Sequence, residues 1–184
     1  MPVSSRPWSM IFLLLALLGS SELSVAQTAP VPGVVRIGGA VNKPTDWSAD
    51  KLREAFASQL TKVDYLVKGQ KHLSTCVPLL SVVQAAEPMT DPKHKNFAMR
   101  LVVVVRAADG YAATFGMGEL LPDVGNRQVW IAIDFDGQPL SGREAPAKLI
   151  VPGDGKPTRA IWGVTRIDVI DPTAAPTTRE TKVR

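Results

Sequence analysis

The chain has 184 residues, 45% of them hydrophobic, which suits one domain with a sizeable core. Its formal net charge is only +4 and its basic residues are dispersed. Nucleic-acid binding is therefore not expected, because it normally needs a clustered basic face interleaved with aromatics. A single cysteine, Cys76, rules out a disulfide within the chain.

Residues 1–26 have the order of a secretory signal peptide. Arg6 supplies positive charge, Met10 to Leu18 (MIFLLLALL) is unbroken apolar sequence, and Ser24-Val25-Ala26 offers small residues for cleavage after Ala26. The apolar run is about half of the roughly 20 residues that a bilayer-spanning helix needs. No cysteine stands near the cleavage site for lipid attachment, and a single arginine precedes the run, so a twin-arginine signal is missing. These features predict a periplasmic or secreted protein with no membrane span after processing.

Residues 27–33 read as a loose lead-in, and the domain proper is expected over residues 34–171. Val34 to Val41 reads as a first strand, with Gly38-Gly39 marking a bulge or turn. Ser48 is a plausible N-cap for a helix carrying Leu52, Ala55 and Phe56 on one face. Lys62 to Lys68 alternates as a half-buried strand. Pro78 can open a second helix with Leu79, Leu80, Val83 and Ala86 as its apolar stripe, stopped by Pro88. A polar loop follows over Glu87 to Asn96.

Leu101 to Val105 (LVVVV) has the pattern of a strand covered on both faces, and Asp109-Gly110 turns it into a hairpin with Tyr111 to Phe115. Met117 to Leu121 suggests a short helical turn. Val129 to Phe135, Lys148 to Val151 and Ile161 to Ile170 supply the remaining strands, and Pro152 to Arg159 is a loop. Residues 172–184, rich in Thr, Pro and charge, are expected to be a disordered tail. The sum is an α+β domain, mainly β, with a mixed or barrel-like sheet and two or three short helices.

Several site types fail on their residues. In GDGKPT (Gly153 to Thr158) a phosphate loop would need glycine where Ile150 stands and Ser or Thr where Pro157 stands. RIGGAV lacks the third glycine of a dinucleotide fingerprint, and no GxSxG nucleophile elbow is present. His72 and Cys76 could supply two metal ligands, but zinc normally takes three or four from the protein, and His94 lies in another loop. The alternative is that His72 is an exposed strand-end residue and Cys76 a buried apolar one.

Four segments in order resemble the sulfite oxidase-type molybdopterin-binding domain: IGGAVNKPTDWSADKLREAF, CVPLLSVVQAAEP, VVVVRAADGYAATFGMGEL and LIVPGDGKPTRAIWGVTRIDV. The resemblance covers Val35 to Asp171. It implies a mainly β, mixed α+β fold and, in catalytic members, a cysteine thiolate on molybdenum with basic residues holding the pterin phosphate. That cysteine would lie upstream of the segment resembling GVPL, where this chain reads TKVDYLVKGQKHLST. Cys76 instead takes the place of the family's glycine, and His72 matches short family members. Catalytic relatives are typically exported folded by the twin-arginine route, so the signal type also implies a chain without the metal.

The expectation is therefore an exported, non-catalytic module on this scaffold, with no cofactor, that binds a small anionic ligand or serves a periplasmic partner protein. Lys156, Arg159 and Trp162, on the loop after Val151, are the candidate contacts for such an anion. The alternatives are a molybdopterin-dependent oxidoreductase domain and a metal or thiol protein using His72 and Cys76.

Overall fold

The computed structural model describes residues 32–174. The expected signal peptide and residues 175–184 of the expected tail lie outside them. Residues 172–174 form a turn in which Thr173 donates from its backbone N–H and hydroxyl to Asp171.

The chain opens with β1 (Val35–Gly39) and β2 (Thr45–Trp47). Then comes α1 (Ala49–Ala55), where the Ser48 hydroxyl accepts from the Lys51 N–H and Leu52 is buried. A hairpin of β3 (Thr61–Val67) and β4 (Gln70–Pro78) leads into α2 (Leu79–Ala85). Pro78 opens that helix, and Leu79, Val82 and Val83 are its buried face.

A second hairpin pairs β5 (Val102–Ala107) with β6 (Ala112–Gly116) and is followed by the one-turn α3 (Met117–Leu120). The last strands are β7 (Trp130–Ala132), β8 (Asp134–Phe135), β9 (Gln138–Pro139), β10 (Lys148–Ile150) and β11 (Val164–Ile170).

Five strands form one sheet in the order β2-β1-β11-β5-β6, in which only β1 and β11 run parallel. A second sheet, β10-β7-β4-β3, is antiparallel throughout, and β8 pairs only with β9. The α+β, mainly β class is as expected, and both main sheets are open rather than closed into a barrel. Among the described residues no helix is long and apolar enough to cross a membrane.

The two sheets share one core. The first contributes Val35, Ile37, Val103, Val105, Ile167 and Val169, and the second contributes Val77, Ile131 and Leu149. Val104 points to the opposite side of β5 yet is only 7% exposed, so this strand is covered on both faces as its sequence predicts.

The other face of the second sheet carries a small cluster of its own: Val63, Cys76, Ala132 and Ile150, with Tyr65 and Trp130 packed against it. In a flat sheet β3 and β10 would lie about 14 Å apart across three strand spacings. Tyr65 of β3 and Lys148 of β10 nonetheless meet in a 3.2 Å hydrogen bond, so the sheet is curled and its two outer strands face each other across a gap.

Three differences from the sequence reading bear on that gap. The strand β4 was not expected, because its inward residues are His72, Ser74 and Cys76, and polar residues on the inner face hide the period-two pattern. Val129 to Phe135 is not one strand: the ladder breaks at Ile133, which donates its N–H to the Thr75 carbonyl, and β8 then pairs with β9 while Asp136 still donates its N–H to the Leu73 carbonyl of β4. β2 is short and half-buried, too brief for a periodic signal.

Candidate functional site

The gap between β3 and β10 is a cleft of about 630 Å³. One wall is the hairpin segment from Asp64 to Gly69. The other is Ile150 to Pro152 with Asp154, Ala160 and Trp162. Its lining mixes apolar side chains with the charged Asp64, Lys68, Lys148 and Asp154, and it lies within the size range of small-molecule sites.

Lys148 lies at its floor. This residue is 1% exposed, although lysine is almost never buried without a partner. Its place follows from register. Lys148, Ala132, Cys76 and Thr61 lie side by side across the four strands, and the small Ala132 and Cys76 leave room for the long stem.

The ammonium sits over three rings, at 3.9 Å from the centroid of Trp162, 4.5 Å from Tyr65 and 5.1 Å from Phe135. It donates one hydrogen bond, to Tyr65 Oη at 3.2 Å, and Tyr65 Oη is in turn 3.1 Å from Ser74 Oγ. Among the described residues no carboxylate pairs with it. Burial therefore pushes the Lys148 amine below its ordinary value, and the more distant Glu144 and Asp136 only partly oppose that. Burial also pushes the Tyr65 phenol up, so it keeps its proton at neutral pH.

The residues singled out from sequence fall in three places. Trp162 lines the cleft, with Lys148 over its ring and the Arg143 guanidinium 5.2 Å from the same ring. Arg159 does not line it. Its guanidinium donates to Asp154 Oδ2 at 2.9 Å, Asp154 Oδ1 at 2.7 Å and Glu119 Oε1 at 3.0 Å, and lies over the Phe115 ring. Arg127 adds a further hydrogen bond to Asp154, so these charges are already matched. The Arg159 hydrogen bond is the largest cause holding the Asp154 carboxyl below the usual carboxylate range. Lys156 is exposed and also lies outside the cleft lining.

His72 and Cys76 do not converge. Both point to the inner face of β4, but four residues of strand separate them by about 13 Å. His72 is not an exposed strand end. It is the third residue of β4, its side chain is 16% exposed, and its Nδ1 lies 2.9 Å from Asp136 Oδ2 while its ring packs on Phe135. Cys76 is fully buried, its thiol faces the Ser74 carbonyl at 3.5 Å, and burial pushes it up to about 12. At neutral pH it is a sealed, protonated thiol, and the thiolate is the form that binds metals or attacks substrates. This donor set does not fit a thiolate-held molybdenum.

Sequence reasoning missed Lys148 and Tyr65. The available signal was a lone lysine opening an apolar three-residue strand, KLI, which reads as a strand-end charge until register places it inward.

No protein-family model matches the sequence, and no curated protein matches it either. Among solved structures the fold is similar to that of a sulfane dehydrogenase, in agreement with the sulfite oxidase-like fold expected from the sequence. One such structure is the sulfane dehydrogenase SoxCD from Paracoccus pantotrophus, with 19% identity and a TM-score of 0.50. The match covers 75% of this chain and 38% of that one, so the described domain spans well under half of the neighbour. At this identity the likeness shows the fold.

Proposed function

We propose that the protein is an exported, non-catalytic ligand-binding module on a sulfite oxidase-like scaffold. Its ligand is an organic anion with a flat or apolar body, taken into the cleft between β3 and β10. The supporting observation is Lys148: a cation 1% exposed, without a carboxylate partner among the described residues, at the floor of a cleft walled by Tyr65, Ile150 and Trp162. A buried charge costs several kcal/mol unless it is matched, and a bound anion supplies the match. The volume exceeds what a bare oxyanion would fill, and the Tyr65 and Trp162 rings suit a planar body. Export rests on the N-terminal apolar run.

Anilinonaphthalene sulfonate, a flat aromatic with one negative charge, is a suitable probe. Its fluorescence titration should show saturable binding that Lys148→Met weakens about tenfold, the loss of roughly one charge-assisted contact. Equal affinity in the two proteins, with both shown folded by circular dichroism, would remove Lys148 from the site.

The likeness to a sulfane dehydrogenase favours a second reading, a molybdopterin-dependent oxidoreductase domain. Stoichiometric molybdenum in protein purified from its native source would establish that reading over the first. The sealed Cys76 speaks against it.

A further inference from the structure

The cleft floor carries more than a charge. Lys148 Nζ, Tyr65 Oη and Ser74 Oγ form a continuous hydrogen-bonded chain, at 3.2 and 3.1 Å, that ends on a serine with no exposure. This chain is the one place among the described residues where an amine nucleophile and a phenolic proton carrier stand in contact inside a cavity. Glu144 and Asp136 are the acids that act on Lys148 through space, and Cys76 lies two strands away in the same register row, beyond Ala132.

We propose that Lys148 captures a carbonyl compound as an imine, which makes the ligand a 2-oxo acid. This deepens the reading of the cleft as an anion site and rests on it. The Lys148 nitrogen lone pair bonds to the carbonyl carbon. Tyr65 Oη relays a proton from nitrogen to oxygen, which gives the carbinolamine. A second relay along the same path expels that oxygen as water and leaves the carbon–nitrogen double bond. Amine and carbonyl thus become imine and water, with Tyr65 restored.

The depressed basicity of Lys148 leaves more of it as free amine at neutral pH than an exposed lysine has. Ser74 holds the Tyr65 hydroxyl in line. Lys68 at the cleft wall supplies a cation for the ligand's own carboxylate. Trp162 is the cover: its ring lies 3.9 Å from Nζ, it is half-buried, and it must lift for a ligand to reach the nitrogen.

The test uses the full chain, glyoxylate and cyanoborohydride at neutral pH, with peptide mapping by mass spectrometry. Lys148 should gain a carboxymethyl group ahead of the exposed Lys68, Lys71 and Lys156, and Trp162→Ala should speed that labelling several-fold. Labelling spread over exposed lysines with Lys148 spared, in both wild type and Trp162→Ala, would overturn the inference. The two readings separate cleanly. Sulfonate binding that depends on Lys148, without an adduct on Lys148, sinks the imine and leaves the anion site standing. An adduct on Lys148 without any such binding supports the imine and shows that the cleft takes a small 2-oxo acid, not a flat aromatic anion.

Discussion

Lys148 and Cys76 occupy one register row of a curled sheet, and burial acts on them in opposite senses: it favours the free amine of one and the protonated thiol of the other. For Cys76 the consequence for stability has a definite sign. In the unfolded chain the thiol gives up its proton near its ordinary value of 9.0, whereas the native state keeps it to about 12. Its contribution is complete below pH 9 and is lost as pH climbs from 9 towards 12, because the native state then binds more protons than the unfolded one. Relative to Cys76→Ala, the wild type should lose about 3 kcal/mol by about pH 11, measured as urea midpoints across alkaline pH. Parallel profiles for the two proteins would show that the thiol titrates normally. The chemistry of Cys76 could not be read from KHLSTCVPLL alone, because a lone cysteine carries no signal for its depth until β4 is placed at the centre of a sheet.

At the scale of elements, β1 depends on a close approach that the glycine pair in RIGGAV only hinted at. Gly39 has φ +85°, and a Cβ there would lie 2.1 Å from the Val169 carbonyl oxygen of β11. Gly38 has room, with its nearest neighbour at 3.7 Å. Gly39→Ala should cost about 2–4 kcal/mol and Gly38→Ala less than about 1 kcal/mol in chemical denaturation. Equal costs would mean that β1 does not hold this approach to β11.

Elements with a one-sided or fully apolar pattern were legible in the sequence: β5 from LVVVV, α1 from Ser48 and Leu52, α2 from Pro78. Those whose inner face is polar were not, and β4 is the chief case. The same polarity that hid β4 places Ser74 and His72 beside the cleft, so the hardest strand to read is the one nearest the chemistry.

For the whole molecule, the cleft exists because a hairpin edge and an irregular loop are held apart by different parts of the fold. The hairpin is fixed by β4, at the centre of the second sheet. The loop after Val151 is fixed by Asp154 through Arg159 and Arg127, and by Arg159 through Glu119 on α3. Basic residues in that loop look from sequence like ligand contacts, and only the folded arrangement shows Arg159 already spent on carboxylates.

Arg159→Ala should therefore act on the wall. It leaves Asp154, only 10% exposed at its side chain, with one arginine fewer, and should lower stability by about 1–2 kcal/mol. Faster amide exchange should appear at Asp154 and Gly155 while β5 and β11 stay protected. Unchanged exchange there would mean the loop is held by something other than this network.

The most direct measurement is a two-dimensional amide and indole NMR titration of the full chain with anilinonaphthalene sulfonate. The account predicts that the largest shifts fall on Tyr65, Val67, Ile150, Val151 and the Trp162 indole, that Lys148→Met removes them, and that Lys156→Ala leaves them in place. Shifts centred on Lys156 and indifferent to Lys148→Met would contradict it.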